Sequence, residues 1–527
     1  MDNLPLPAVA WPGDLLEDPA ACYRAIQSRD ARFDGRLFVG VTSTGIYCRP
    51  ICPARTPKAA NCRFFPSAAA AQENGFRPCL RCRPETAPDL ASWRGTSNSV
   101  QRALALIAEG ALDGDRDGPG EAGPERGPES GPESGPESGV EALAARLGLG
   151  GRQLRRLFRQ HLGASPVAVA QTRRVLFAKQ LIQETSLPMA EVALAAGFGS
   201  QRRFNETFRA LYGRPPSALR RRALAEAPPD TAGVTLRLSY RPPYDWPAML
   251  AFLSARAIAG VEVVADDLYR RTLAEAGAPG TVEVRHEPAP ARLAVTIRHP
   301  SVRALPAVVA RVRRVFDLGA DIETIGDHLS RDPFLARLVA ARPGLRAPGG
   351  WDGFELAVRA VLGQQVTVAA ARALAGKLVA LCGLPLPDGL ALAGLSHAFP
   401  GPERVAAADL AALGMPQARR AALRALAEAT LADPQLFRPF GDIEQAVARL
   451  RAIPGIGDWT AHYIALRALR ETDAFPASDI GLLRGAAAPD GGRPSPAELV
   501  RRAEPWRPWR AYAAQHLWAA DAEERRA

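Results

Sequence analysis

The sequence predicts a multidomain protein that is mainly α-helical, with one small α+β unit. Three observations lead there. The chain has 527 residues, and single hydrophobic cores stop growing at about 250–300 residues. Apolar residues recur at helical spacing over most of its length, and alternation appears only in VTLRLSY, TVEVRH and RLAVTIRH. Four cysteines, Cys48, Cys52, Cys79 and Cys82, fall within 35 residues near the beginning, while Cys22, Cys62 and Cys382 stand apart. Too sparse for a disulfide scaffold, this clustering predicts a metal site in a reducing compartment.

Charge narrows the function classes. Lys+Arg number 66 against 55 Asp+Glu, a formal +11, which points to a polyanionic partner and away from a generic metabolic enzyme. No stretch approaches the ~18 consecutive apolar residues of a spanning helix. The opening MDNLPLPAVAWPGDLLEDPAA has acids where a signal peptide needs positive charge. A soluble, unexported chain without membrane association is expected.

The clearest seam is residues 113–139, with its tandem GPES repeat and no aromatic or branched apolar residue to bury. It is expected to be a disordered acidic insertion. Between 113 and 138 it holds eight acids and two arginines, so the rest of the chain carries +17. Helical periodicity stops just before it and resumes just after, so it interrupts one helical domain. A second breaker-rich stretch, 227–233, precedes the α+β unit, which includes helical stretches near 245–257 and 305–317. From Gly353 onward the pattern is helical throughout. Four domains are therefore expected, at 1–92, 98–222, 233–330 and 331–527.

Cys48-x3-Cys52 and Cys79-x2-Cys82 offer four soft thiolates in two close pairs, as tetrahedral Zn2+ prefers. Spacing alone reads as a structural zinc that substitutes for a core. The surrounding FVGVTSTGIYCRPICPAR and GFRPCLRCRP resemble the N-terminal zinc domain of the Ada family of bacterial adaptive-response proteins. That resemblance implies that Cys48 is both zinc ligand and nucleophile, taking a methyl group irreversibly from a DNA methylphosphotriester, with Cys52, Cys79 and Cys82 as supporting ligands. The chemistry is consistent: four thiolates on Zn2+ leave a formal −2, which keeps Cys48 electron-rich and repels ordinary phosphates. A methyl triester has lost its charge and is approachable. Methylation lowers the site's negative charge and is expected to strengthen DNA binding. Arg49, Arg55, Lys58, Arg77, Arg81 and Arg83 are candidate phosphate contacts.

In the middle region, EALAARLGLGGRQLRRLFRQHLG and MAEVALAAGFGSQRRFNETFRALYG share one outline: an Ala-rich helix, a turn with Gly148 or Gly197, and an Arg-rich helix. Each reads as a helix-turn-helix. With GRPPSALRRR, the pair resembles the DNA-binding domain of the AraC family. Residues 151–222 contain fourteen Lys/Arg and three acids, a net +11. The second helices, near 151–160 and 200–209, are expected in successive major grooves, with Gln153, Arg156, Gln201 and Arg202 facing bases. Leu154, Leu157, Phe158, Phe204 and Phe208 read as core.

Toward the end, Pro454-Gly455-Ile456-Gly457 between two helices predicts a hairpin whose Gly455 and Gly457 let backbone N–H groups reach a DNA phosphate. Twenty residues after Trp459 comes Asp479, which by position alone is a helix N-cap. The combination resembles the helix-hairpin-helix DNA glycosylases. YRPPYDWPAMLAFLSARAIAGVEVVADDLYRRTL, ARPGLRAPGGWDGFELAVRAVLGQQVTVA and EPWRPWRAYAAQHLW extend the resemblance to the alkylbase (3-methyladenine) glycosylases of the AlkA type. It implies that Asp479 is the catalytic carboxylate, that Trp459, Tyr463, Trp518 and Phe252 line a pocket for the flipped base, and that Gln365 stands at the position of an apolar wedge. Alkylation at purine N3 or N7 makes the base a cationic leaving group, so stabilising an oxocarbenium-like sugar is the main task, and an electron-rich wall suits the cation. Two departures stand out: glutamine at 365 and Ile480 where that family has an aromatic.

No lysine follows Lys377 and no cysteine follows Cys382, which argues against Schiff-base lyase chemistry and against a C-terminal iron–sulfur cluster. The Pro-Cys-His-Arg motif of O6-methylguanine methyltransferases is missing too. The expected protein is a monomeric, cytoplasmic, nucleoid-associated damage-response activator and monofunctional glycosylase, using Zn2+, double-stranded DNA and RNA polymerase. The competing reading is a transcriptional regulator with structural zinc and a non-catalytic DNA-binding C-terminal half.

Overall fold

A computed structural model describes residues 16, 18–88, 98–113, 136–220, 233–275, 277–390, 392–438, 443–487 and 491–525. The chain divides into two compact units, residues 1–240 with 301–310, and residues 241–300 with 311–527. No helix among the described residues is long and apolar enough to cross a membrane.

The first unit opens with helix α1 (Pro19–Gln27), whose N-terminus is capped by Asp18 on the amide of Ala21. A small sheet follows, built from β1 (Phe38–Val41), β2 (Ile46–Cys48), β3 (Cys62–Phe65) and β4 (Arg77–Pro78) in the order β3-β1-β2-β4. Strand β1 pairs antiparallel with β2 and β3, and β2 runs parallel to β4. Phe38, Tyr47, Phe65 and Phe76 pack against the alanines of helix α2 (Ala68–Glu73). A second cluster joins Leu37 and Val39 to Cys22, Ala25 and Ile26 of α1. Gly40 makes this packing possible, because a Cβ there would lie within 3 Å of the Phe65 and Phe76 rings.

Six helices complete most of this unit: α3 (Asn98–Ala108), α4 (Pro136–Arg146), α5 (Gly151–Leu162), α6 (Pro166–Glu184), α7 (Met189–Ala195) and α8 (Gln201–Tyr212). The pairs α4–α5 and α7–α8 are the two expected helix-turn-helix units. Gly148 at φ +68° and Gly197 at φ +81° make their turns, a backbone region that side-chain-bearing residues enter only at a cost. Leu154, Phe158, Phe204 and Phe208 are fully buried, and Leu157 partly so. Most of the expected disordered insertion, 114–135, lies outside the described residues, as does nearly all of the stretch 227–233. Its last four residues, 136–139, are however helical, forming the first turn of α4. Pro136 at the first helical position and Glu137 beside it favour a helix start there. Strand β5 (Val234–Ser239) then docks on the end of α6, where the Arg237 amide donates to Glu184 and Gln180 donates to the Arg237 carbonyl.

In the second unit helix α9 (Trp246–Arg256) precedes an antiparallel meander of β6 (Glu262–Ala265), β7 (Leu268–Glu275), β8 (Ala278–Glu287) and β9 (Arg292–Arg298). Strand β9 alternates as expected, with Leu293, Val295 and Ile297 inside. Strands β6 and β7 are additional to those expected. Their alternation is masked because Arg271 points inward, to a buried cluster in which it donates to Glu355 and Arg359 donates to both Glu262 and Glu355.

The helical part includes α10 (Gly353–Leu362), α11 (Val368–Cys382), α12 (Gln417–Ala432), α13 (Ile443–Arg451), α14 (Asp458–Ile464), α15 (Ile480–Gly485) and α16 (Arg510–Glu524), among further helices and turns. It is not helical throughout. Leu384–Pro385 (β10) pairs antiparallel with His397–Ala398 (β11), in a segment where Pro385 and Pro387 exclude a continuous helix.

Candidate metal centre and aromatic pocket

The parallel pair β2/β4 explains how residues thirty apart meet. Both strands deliver a cysteine at the same end, and the Cys79 amide donates to the Tyr47 carbonyl at 3.0 Å. The Sγ atoms of Cys48, Cys52, Cys79 and Cys82 all lie within 4.8 Å of one another. Backbone N–H groups of Arg49 and Arg81 point at the sulfurs of Cys82 and Cys79 at 3.4 and 3.3 Å. Four converging sulfurs with N–H donors behind them suit a thiophilic metal ion. Cys79 and Cys82 are buried, and Cys48 and Cys52 are at least half-buried. The other three cysteines stand outside the cluster; burial, with Asp18 nearby, pushes the Cys22 thiol up to about 11.

Two of the six cations expected at phosphates are turned inward. Arg49 is buried in an ion pair with Asp34 and also donates to the Cys82 carbonyl and Thr86. Arg83 bridges Glu85 and Glu184. Both brace the metal module, a role that sequence position did not separate from surface charge. Arg55, Lys58 and Arg81 are at least partly exposed, and Arg77 lies 6.0 Å from the Tyr212 ring. The module is tied to α6 by Lys179, which is fully buried and donates to Glu85 at 2.6 Å and to the Cys79 carbonyl at 2.8 Å.

On α5 and α8 the residues expected to face bases, Gln153, Arg156, Gln201 and Arg202, are all exposed. Ser200 caps α8 on the Arg203 amide, and Arg202 pairs with Glu206 one turn on.

In the second unit, α13, the hairpin and α14 follow in sequence. Gly455 has φ +85°, and a Cβ there would meet that of Ala422 on α12 at 2.4 Å. Gly457 caps α14 at an ordinary φ of −83°, exposed, and a Cβ at this position would have no neighbour within 4 Å. Facing the hairpin is the turn between α10 and α11. Gln364 Nε2 donates to the Gly455 carbonyl at 3.0 Å and to Thr460 Oγ1 at 3.1 Å, and Arg419 donates to the Gln364 carbonyl. This clamp holds Gln365 exposed at φ +56°, a strained backbone for a non-glycine residue. Val366 and Val368 beside it are exposed as well.

Asp479 is the N-cap of α15, its Oδ1 accepting from the amides of Gly481 and Leu482 at 2.8 and 3.0 Å. Capping uses one oxygen only. Trp518 Nε1 also donates to Oδ1, and Trp459 Nε1 donates to Oδ2, each at 2.8 Å. Trp459 stacks on Tyr463 with centroids 5.3 Å apart and planes 13° apart, and Tyr463 meets Trp518 edge-on at 6.4 Å. A carboxylate is thus set against an aromatic cluster. Phe252 of α9 joins it through the Arg467 guanidinium, whose Cζ lies 4.7 Å from the Phe252 centroid; Arg256 lies 3.9 Å from the same centroid. Ile480, next to the carboxylate, is 63% exposed.

Sequence reasoning passed over two residues here. Gln364 was hidden by its neighbour in the glutamine pair. Arg467 is one of several arginines in a helical stretch, and nothing in the sequence singles it out, whereas it is 2% exposed.

Three sequence families match segments of the chain: the metal binding domain of Ada at residues 21–85, a helix-turn-helix domain at 143–222 and the AlkA N-terminal domain at 235–352. A protein of Mycobacterium tuberculosis described as a probable bifunctional transcriptional activator/DNA repair enzyme AlkA is 44% identical, over 95% of this chain and 96% of its own length. DNA-3-methyladenine glycosylase 2 of Escherichia coli is 40% identical, over 53% of this chain and 95% of its own length. The bifunctional transcriptional activator/DNA repair enzyme Ada of Escherichia coli is 43% identical, over 12% of this chain and 18% of its own length. With 44% identity over nearly the whole of both chains, this chain belongs to the family of DNA-binding bifunctional transcriptional activator/DNA repair enzymes that join an Ada-type metal-binding module and a helix-turn-helix domain to an AlkA-type glycosylase.

Proposed function

We propose that the chain takes a methyl group from a DNA methylphosphotriester onto Cys48, activates transcription of repair genes through its helix-turn-helix domain, and excises alkylated purines of the 3-methyladenine and 7-methylguanine type with Asp479. Its working compartment is the cytoplasm, at the nucleoid, where a monomer meets double-stranded DNA and RNA polymerase. Cys48, Cys52, Cys79 and Cys82 hold Zn2+ in this reading, and the metal keeps the four sulfurs as thiolates at neutral pH. Cys48 is the acceptor in this reading. Its sulfur attacks the methyl carbon, an S–C bond forms, the C–O bond to the triester breaks, and the electron pair stays on the phosphate oxygen as a restored phosphodiester. Gln153, Arg156, Gln201 and Arg202 then serve as base-reading positions on α5 and α8.

In the second unit the flipped base lies among Trp459, Tyr463, Trp518 and Phe252. Gly455 and Gly457 carry the adjacent phosphate, and Gln365 enters the gap in the stack. Asp479 faces the sugar, where positive charge grows as the C1′–N bond stretches. The observation that carries the enzymatic reading is the pair of indole bonds to Asp479: an N-cap alone accounts for the amides on Oδ1 but not for Trp459 on Oδ2. The test is to incubate the zinc-loaded chain with methylated duplex DNA. Chromatography is expected to detect free 3-methyladenine and 7-methylguanine, and peptide mass spectrometry one added methyl on Cys48. No free methylpurine defeats the glycosylase assignment. An unmodified Cys48 in folded protein defeats methyl acceptance and leaves a structural metal.

A further inference from the structure

Arg467 is out of place in a pocket that receives a cationic base. Its guanidinium Cζ lies 4.7 Å from the Phe252 centroid, 5.0 Å from that of Trp518 and 5.8 Å from that of Tyr463. Among the described residues it has no carboxylate partner. Nη1 donates to the Pro348 carbonyl and Nη2 to Gln515 Oε1, each at 2.9 Å, and the buried Nε has no hydrogen-bond acceptor. Burial pushes the group down to about 10, so the charge persists at neutral pH. A buried charge offset only by neutral acceptors is costly, and such groups concentrate where function retains them.

The backbone shows how it gets there. Residues Ala465–Leu469 form a π-turn that continues α14. Arg467 lies four positions beyond Tyr463, a spacing that puts the two side chains on one face. Arg470 then ends the turn at φ +61°.

The geometry points to opposite charges at the two ends of one aromatic wall. Trp518 donates to Asp479 through its indole nitrogen while its ring faces the Arg467 guanidinium. We propose that Arg467 is a positioning residue that acts electrostatically on the glycosylase reaction: with Asp479 it sets a field across the pocket that drives positive charge from the base to the sugar as the glycosidic bond breaks.

This rests on the glycosylase reading above. In that reaction C1′–N breaks with its electron pair going to the base, water adds to C1′, and the water's proton passes to solvent. The base therefore always gains negative charge as it leaves, which a guanidinium behind it favours. Before cleavage an alkylated base is cationic, and the same guanidinium opposes its seating. Arg467 thus weakens binding of the charged base and speeds its release, a difference between ground and transition states of the kind that raises rate. It does not touch the reacting atoms.

The test is single-turnover release of 7-methylguanine from a duplex, with enzyme in excess, by the full chain and by Arg467→Gln and Arg467→Lys. Half-saturating concentrations are normalised to the affinity for an abasic duplex of the same sequence, which leaves the pocket empty. In Arg467→Gln the maximal rate is expected to fall about tenfold or more, while the normalised half-saturating concentration falls as well; Arg467→Lys restores both toward wild type. A structural role predicts slower release and weaker binding together, with a lowered melting temperature and no rescue by lysine, and that outcome overturns the proposal. An unchanged rate in Arg467→Gln overturns it too. Should Arg467→Gln fail to fold, Arg467→Met removes the same charge with an unbranched side chain, and an unchanged release rate there overturns the proposal. No release by the wild-type chain defeats the glycosylase reading itself, and the inference with it.

Discussion

Gly455 and Gly457 sit two positions apart in one hairpin, yet different constraints hold them. At 455 the backbone is left-handed and Ala422 occupies the space a Cβ needs. At 457 the backbone is ordinary and the space is open, so nothing inside the protein bars a side chain, and the proposed phosphate contact is what a Cβ there would disturb. Gly455→Ala is therefore expected to destabilise the second unit by about 1–3 kcal/mol, visible as a lower denaturant midpoint. Gly457→Ala is expected to leave the midpoint within about 0.5–1 kcal/mol of wild type and to weaken binding to duplex DNA. Equal loss of stability in both, or undiminished DNA binding in Gly457→Ala, contradicts this division. Residue identity showed both glycines but not the distinction, which depends on a neighbour about thirty positions away. Asp479 is similar: sequence offered a cap or a catalytic carboxylate, and the structure makes it a cap with a second, indole-bonded oxygen. Arg49 and Arg83 went the other way: Asp34 and Glu184, which hold them inward, are distant in sequence, and the nearby Glu85 by itself does not show that Arg83 is turned in.

At the scale of elements, the helix-turn-helix pairs were legible because apolar spacing, a turn glycine and an Arg-rich second helix coincide in each. Strand β7 was not, because an inward-facing arginine imitates an exposed one. The π-turn at Ala465–Leu469 left no sequence signal, as its composition is that of an ordinary helix, and with it Arg467 was missed. Helix α16 carries a further consequence. His516 is buried on it, and burial, assisted by Arg342, pushes its pKa from the usual 6.5 down to about 4. The unfolded chain binds this proton first, so the stability it contributes is present above pH 6.5 and is lost as pH falls toward 4. The full effect is about 3 kcal/mol. His516→Gln is expected to flatten the dependence of unfolding free energy on pH between 7 and 4 relative to wild type, measured by denaturant titration at each pH. Parallel curves for the two proteins count against it.

For the whole molecule, spacing and charge mark the cysteine cluster and the basic helix-turn-helix pairs, whereas the aromatic pocket of the second unit is implied by the resemblance to the AlkA type. The acidic insertion conceals how basic the rest is, and the fourteen cations of residues 151–222, less three acids, alone match the chain's net +11. What remained illegible was long-range: which charges are spent on one another, as in Lys179 with Glu85 or Arg271 with Glu355, and which are left to act on a ligand. The central claim is that this assembly of DNA-directed parts includes a working glycosylase centred on Asp479. The most direct measurement is the single-turnover rate of 7-methylguanine release by wild type and by Asp479→Asn, with melting temperature and abasic-DNA affinity measured alongside. Asparagine keeps the cap and can still accept from an indole, so fold and DNA affinity are predicted to persist while release slows by about 100-fold or more. Release by Asp479→Asn at the wild-type rate, from folded protein that still binds DNA, would show that Asp479 is not the catalytic carboxylate.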